Sequence, residues 1–256
     1  MLTLITSMNL KLYHAYGSNF LSSWKINSAP DIQLIVMFEG EGKEIVANSH
    51  QSDLIIIDSI QSDLFLLFNS KFSQFKEAHG LVEKNSKFIY NYRYDAIRFA
   101  FKIFSIYKAI ANGLVNDDFG WLDSDIICKR NFSAADLKQF FPEPNSIASY
   151  LGRNNFPKPN AYSECGFVGY NYLNASTTEF ILDFINFYMN GDIFTLKEWH
   201  DCFVFDHLRH KYESQGGLFK NLSEDLINED HPFVLTGLGN YFDHLKGPER
   251  KIRGYS

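Results

Sequence analysis

Asp123 and Asp125, in Leu122-Asp123-Ser124-Asp125-Ile126, are two carboxylates one residue apart, and they interrupt an apolar run near mid-chain that reads as a strand. In a loop-like stretch both can reach a hard divalent cation, which keeps waters and takes ligand phosphates as its remaining partners. Burying two carboxylates at the end of an apolar strand is costly without a cation or hydrogen bonds. A helix cap or solvated turn is the alternative, because an isolated Asp-x-Asp is a common pair. Upstream, Tyr94 to Ala111 reads as an almost wholly apolar helix. Its polar residues Asp95, Arg98, Lys102, Ser105 and Lys108 recur at spacings of 3, 4, 3 and 3, which makes one narrow stripe. Arg98 and Lys102 on that stripe can border a polar cleft and meet a diphosphate. Otherwise they pair with nearby carboxylates or snorkel to solvent.

Asp201 shares a helical face with Val204, Phe205 and Leu208, at spacings of 3, 4 and 7. A carboxylate on an apolar face points inward, as a base or acceptor ligand or as the buried partner of an arginine. Glu164 opens a glycine-bearing strand toward the same edge and carries the same two readings. His200, Asp206, His207 and His210 have neither cysteine partners nor HExxH spacing, so they read as a solvated helix face. Gly40-Glu41-Gly42-Lys43 lacks the spacing of a phosphate-binding loop and reads as a hairpin turn. Phe119, Trp121, Phe167, Tyr170 and Trp199 stand near these positions, as stacking platforms for a base or sugar ring or as core.

Taken in order, these segments resemble the DxD-containing, GT-A-type glycosyltransferases that use nucleotide sugars, nearest in motifs to the glycogenin and galactosyltransferase group. The helix Tyr94-Asp95-Ala96-Ile97-Arg98-Phe99-Ala100-Phe101-Lys102 precedes Trp121-Leu122-Asp123-Ser124-Asp125. Glu164-Cys165-Gly166-Phe167-Val168-Gly169-Tyr170-Asn171 is similar to that group's N-A-G-x-x-x-x-N strand, with Glu and Cys replacing Asn and Ala. His244-Leu245-Lys246-Gly247-Pro248-Glu249-Arg250-Lys251 resembles its H-x-x-G-P-x-K closing motif, with one residue inserted. The resemblance implies that Asp123, Asp125 and His244 hold Mn²⁺ or Mg²⁺, with Asp123 also near the donor ribose. It places Lys251, Lys246, Arg98 and Lys102 at the donor diphosphate, and it leans toward retention of the anomeric configuration. The donor is expected to be a nucleotide-diphosphate sugar, UDP-sugars favoured, and the acceptor a glycan.

The elements that would position these residues alternate short apolar strands with helical stretches. Leu2 to Thr6, Asp31 to Phe38 and Leu54 to Asp58 read as strands, and Leu64 to Phe68 as strand or helix. Ser176-Thr177-Thr178-Glu179 and Thr195-Leu196-Lys197-Glu198 read as capping boxes opening two later helices. The expected fold class is α/β: a single GT-A-like domain with a mostly parallel central sheet flanked by helices and a C-terminal closing segment. Within 1–256, residues 1–128 form the nucleotide-sugar-binding half, 129–236 the acceptor-side half and 237–256 the closing tail, expected to order over donor and metal.

Net charge of −6, from 24 basic against 30 acidic residues, disfavours nucleic acid as the partner. Three separated cysteines (Cys128, Cys165, Cys202) make no disulfide framework, and no leader or membrane span is read, so a cytoplasmic setting is expected. The function expected is transfer of a hexosyl or pentosyl group. Two alternatives stand beside it: a degenerate transferase serving as a binding module, and a sugar-nucleotide nucleotidyltransferase. The latter needs a glycine-rich, arginine-bearing loop after the first strand, where Thr6-Ser7-Met8-Asn9 stands.

Overall fold

The computed structural model describes residues 1–50, 52, 55–153, 162–224 and 231–245. Its strands are β1 (Leu2–Met8), β2 (Ile32–Phe38), β3 (Ile55–Ser59), β4 (Leu81–Lys84), β5 (Lys87–Tyr90), β6 (Phe119–Leu122), β7 (Ile126–Cys128), β8 (Ser146–Leu151), β9 (Glu164–Tyr170), β10 (Leu218–Asn221) and β11 (Phe242–His244). Its helices are α1 (Leu10–Leu12), α2 (Ser18–Asn27), α3 (Lys43–Ser49), α4 (Asp63–Phe72), α5 (Ala96–Ala111), α6 (Ala134–Lys138), α7 (Ala175–Met189), α8 (Asp201–Ser214) and α9 (Pro232–Leu235). Seven strands form the central sheet in the order β10-β8-β9-β6-β1-β2-β3. Pairing is parallel from β6 through β1 and β2 to β3, and between β8 and β10, whereas β9 runs antiparallel to both neighbours.

Both faces of this sheet are covered, which is why its central strands read as continuous apolar runs rather than alternating ones. All seven residues of β1 are buried. Alternate residues enter opposite cores: Ile5 and Ile35 pack on one side with α5, α7 and α8, and Leu4 and Leu34 on the other with α2. The mostly parallel α/β architecture is as expected. Among the described residues, no helix is long and apolar enough to cross a membrane.

Several local expectations need correction. Of the two readings of Leu64 to Phe68 the helical one holds, within α4, where Ser62 caps the helix by accepting from the Phe65 N–H. Gly40-Glu41-Gly42-Lys43 makes no hairpin; with Gly40 at φ 82 and Gly42 at φ 96, the chain turns straight into α3. Asn174, not a Ser176 box, caps α7. Thr195 ends a short 3₁₀ turn instead of opening a helix, and α8 starts at Asp201. The hairpin of β4 and β5 was not anticipated, because Asn85-Ser86 holds both turn residues at positive φ without the usual glycine signal. Of the tail, 237–245 is docked, with Leu238 and Phe242 fully buried. Lys246, Lys251 and Gly247-Pro248 lie outside the described residues.

Candidate active site

What was one strand in the sequence is two in space. β6 ends at Leu122 and β7 begins at Ile126, so Asp123-Ser124-Asp125 fills the break at the carboxyl edge of β6. Two bonds fix Asp123: its N–H donates to the Gly166 carbonyl at 2.9 Å, and its Oδ1 accepts from Trp121 Nε1 at 2.6 Å. β11 pairs antiparallel with β7, setting His244 opposite Ile126. His244 Nε2 therefore stands 3.0 Å from Asp125 Oδ1 and 3.7 Å from Asp123 Oδ2. The three donor atoms lie within 4.8 Å of one another. Two carboxylate oxygens and an imidazole nitrogen around one point fit a divalent cation.

Gly166 leaves room for this grouping. A Cβ there would stand 2.7 Å from His244 Cε1 and 3.0 Å from its Nδ1. Gly166→Ala is therefore expected to displace the imidazole, with overpacking of about 1–3 kcal/mol. Differential scanning calorimetry and Mn²⁺ titration should both register the change; unchanged ion affinity would show that Gly166 does not set the histidine.

Glu164 lies next to this group. Arg153 Nη2 reaches Glu164 Oε2 at 3.1 Å, and His231 Nε2 reaches the same oxygen at 3.0 Å. The His231 ring meets His244 edge-on at 5.1 Å. Glu164, His231 and His244 thus make a second converging set that shares one histidine with the first. His231 was missed in the sequence because no spacing relation ties it to Glu164.

Lys102 reaches the cleft from α5. Its ammonium pairs with Asp201 and with Asp123 Oδ1 at 3.4 Å, donates to the Cys165 carbonyl at 2.7 Å, and lies 5.1 Å from the Trp121 ring centre. Burial works against its charge, but Asp123 and Asp201 more than offset this and hold it well above the usual lysine range. Burial likewise opposes charge on Asp201, and Lys102 overrides it, keeping the carboxyl below its ordinary value. Arg98 sits at the exposed rim and donates to the Tyr90 hydroxyl at 3.2 Å. Trp121 lines the cleft, whereas Phe119, Phe167 and Tyr170 are core. Trp199 packs against Tyr94 and Phe194.

The solvated-face reading of His200 and Asp206 is overturned, although His207 and His210 are exposed. His200 is buried against Glu198, with Nε2 at 3.1 Å, and Asp206 accepts from both the N–H and the hydroxyl of Ser163. The buried face of α8 is wider than the Val204, Phe205 and Leu208 stripe alone indicates, and takes in Asp206 and Arg209.

Asp123, Asp125, Glu164, Arg98, Lys102 and Asp201 line a cleft of about 1120 Å³ that continues to the carboxyl ends of β1 and β2. There Ser7 Oγ donates to Glu39 Oε1 at 2.6 Å and Asn9 Nδ2 to Glu39 Oε2 at 3.2 Å. Tyr16 faces the same space. Applying the strand-end rule to β1 and β2 as well as β6 would have found Asn9 and Glu39. Burial pushes the Glu39 carboxyl above its ordinary range, despite the Ser7 and Asn9 hydrogen bonds. A raised folded-state pKa means the related stability is present below the unfolded value and lost as pH rises through the folded one. Glu39→Gln should therefore remove part of the gain in Tm on acidification from neutral pH. Identical pH–Tm slopes for the two proteins would contradict this.

No protein-family model and no curated protein matches the chain. Solved structures do resemble it. The apo structure of the bifunctional glycosyltransferase WbbM superposes with a TM-score of 0.55 at 10% identity, over 96% of this chain and 46% of that one. The glycosyltransferase GlyE of Streptococcus pneumoniae TIGR4 gives 0.50 at 12% identity, over 87% and 46%. The chain thus spans under half the length of each. The likeness establishes the fold, a GT-A-like α/β architecture.

Proposed function

We propose that this chain is a metal-dependent glycosyltransferase that moves a sugar from a nucleotide-diphosphate donor, UDP-sugars favoured, to a glycan acceptor. The observation that carries the reading is the convergence of Asp123, Asp125 and His244 at the carboxyl edge of β6, opening on a cleft large enough for a nucleotide sugar. That the two structurally similar proteins are named glycosyltransferases agrees with it.

Asp123, Asp125 and His244 would hold Mn²⁺ or Mg²⁺, and the imidazole favours Mn²⁺. When bound, the ion offsets the negative charge that builds on the departing diphosphate. The other roles belong to the chain's own side chains. Glu39, with Ser7 and Asn9, offers a carboxylate to the ribose hydroxyls, so residues 1–128 serve the donor. Arg98, at the rim, is placed to meet the diphosphate. Lys102 is committed to Asp123 and Asp201 and orients both. Asp201, kept ionised, accepts a hydrogen bond from the incoming hydroxyl, and Glu164 holds the neighbouring acceptor surface within 129–236.

Arg98→Ala is expected to weaken donor binding by about 1–3 kcal/mol, the worth of a charge-assisted hydrogen bond, while Tm moves less. Loss of Tm with normal donor affinity would return Arg98 to a structural role. The whole reading is tested by release of nucleoside diphosphate from a panel of sugar donors, with and without chelator. Chelator-sensitive release supports it. Donor binding without turnover would favour a non-catalytic binding module, and pyrophosphate-dependent nucleotide exchange would favour a nucleotidyltransferase.

A further inference from the structure

A third group of ligand-type side chains lies in the same cleft, and the transfer reading leaves its two thiols unused. Cys165 from β9 and Asp201-Cys202 from the first turn of α8 bring two thiols and a carboxylate together, all donor atoms within 4.8 Å of one another. Cys202 Sγ donates to Asp201 Oδ1 at 3.6 Å, while Lys102 holds the other oxygen, Oδ2. Cys165 is buried, Cys202 is half-buried, and both line the cleft.

We propose that Cys165, Cys202 and Asp201 Oδ1 form a thiolate-rich site for a borderline-soft divalent ion, Zn²⁺, separate from the hard-ion site at Asp123 and Asp125. The spacing suits it: in a tetrahedron with Zn–S bonds of about 2.3 Å, two sulfurs stand about 3.8 Å apart. Charge suits it too. Two thiolates and a carboxylate balance Zn²⁺ and the Lys102 ammonium, so the buried cluster is neutral, whereas an unbalanced one would carry a large desolvation penalty. Binding releases the two thiol protons to solvent. Lys102 serves as the outer partner for two ligands at once, through Asp201 Oδ2 and through the Cys165 carbonyl. A fourth position would be left to water. The ion would tie β9 to the start of α8.

The proposal shares Asp201 and Lys102 with the transfer reading but does not rest on it, and its test reads spectra rather than turnover. The full chain, reduced and freed of metal, is titrated with Co²⁺ as the zinc probe. The expected result is one equivalent giving the near-ultraviolet thiolate-to-cobalt charge-transfer band. Zn²⁺ should displace it, Cys165→Ser and Cys202→Ser should each abolish it, and Asp125→Asn should leave it intact. In the unsubstituted protein, Zn²⁺ should also slow modification of these thiols by an aromatic disulfide reagent at least tenfold. Absence of the band, its undiminished survival in either serine variant, loss of it in Asp125→Asn, or thiol reactivity indifferent to Zn²⁺ would each overturn the site.

Discussion

If the proposed transfer reading holds, Asp125→Asn is expected to lower turnover about 10²–10³-fold, comparable to the ~2.7–4 kcal/mol lost when one preorganised oxyanion-hole donor is removed. The reasoning is local. Asparagine keeps an oxygen to accept from His244, now 3.0 Å from the carboxylate, so the break between β6 and β7 and its pairing with β11 persist. What disappears is one unit of negative charge from a three-ligand set that has only two. The expected signature is a large fall in nucleotide release and Mn²⁺ affinity with little change in melting temperature. Near-normal turnover in the purified variant, or a parent protein indifferent to chelator, would remove the ion from the mechanism.

The second large effect is on stability. Asp201 has 7% side-chain exposure and Lys102 has 15%, so neither charge is shared with bulk water. Lys102→Met leaves a buried carboxylate without its partner and takes a cation away from Asp123, a loss of about 3–5 kcal/mol. At ~2–4 °C per kcal/mol for a chain of this size, Tm should fall by about 6–20 °C. Removing both charges, in Lys102→Met with Asp201→Leu, should recover much of that loss, because the penalty is the orphaned ion more than the missing attraction. A single variant that melts with the parent, or a double variant worse than either single, would show that the pair is not what holds α5 to α8.

Which parts were legible depended on how far the relevant physics reaches along the chain. Asp123 and Asp125 stood out because two carboxylates inside an apolar run are expensive wherever they fold. The inward aim of Asp201 followed from its face on α8, since a 3, 4 and 7 spacing is local geometry. Its partner did not follow: an arginine was one expectation, and Lys102, 99 residues away, supplies the charge. His244 was reachable only through resemblance, because strand pairing across 119 residues brings it to Asp125. His231 beside Glu164, and Cys165 beside Cys202, meet through tertiary packing alone. The errors at Thr195, Ser176 and Gly40 share a cause. Side chains that suit a cap or turn were present, and neighbours such as Asn174 and the Gly42 turn took those roles.

The pairing of β11 with β7 also bears on when the site comes into being. A strand of three residues, Phe242–His244, carries the last ligand to a partner strand laid down more than a hundred residues earlier. Side chains along a strand alternate, so a slip of one residue would turn His244 away and present Asp243 or Leu245 instead. Closing so long a loop is slow compared with forming local helices, and its entropy is repaid only after the main sheet exists. During refolding, secondary structure and burial of tryptophans should therefore reach native values before the proposed site of Asp123, Asp125 and His244 can hold Mn²⁺. On that reading Mn²⁺ affinity would act as a clock for the final folding step, and a chain whose central sheet is native could still be one strand short of the proposed Mn²⁺ site.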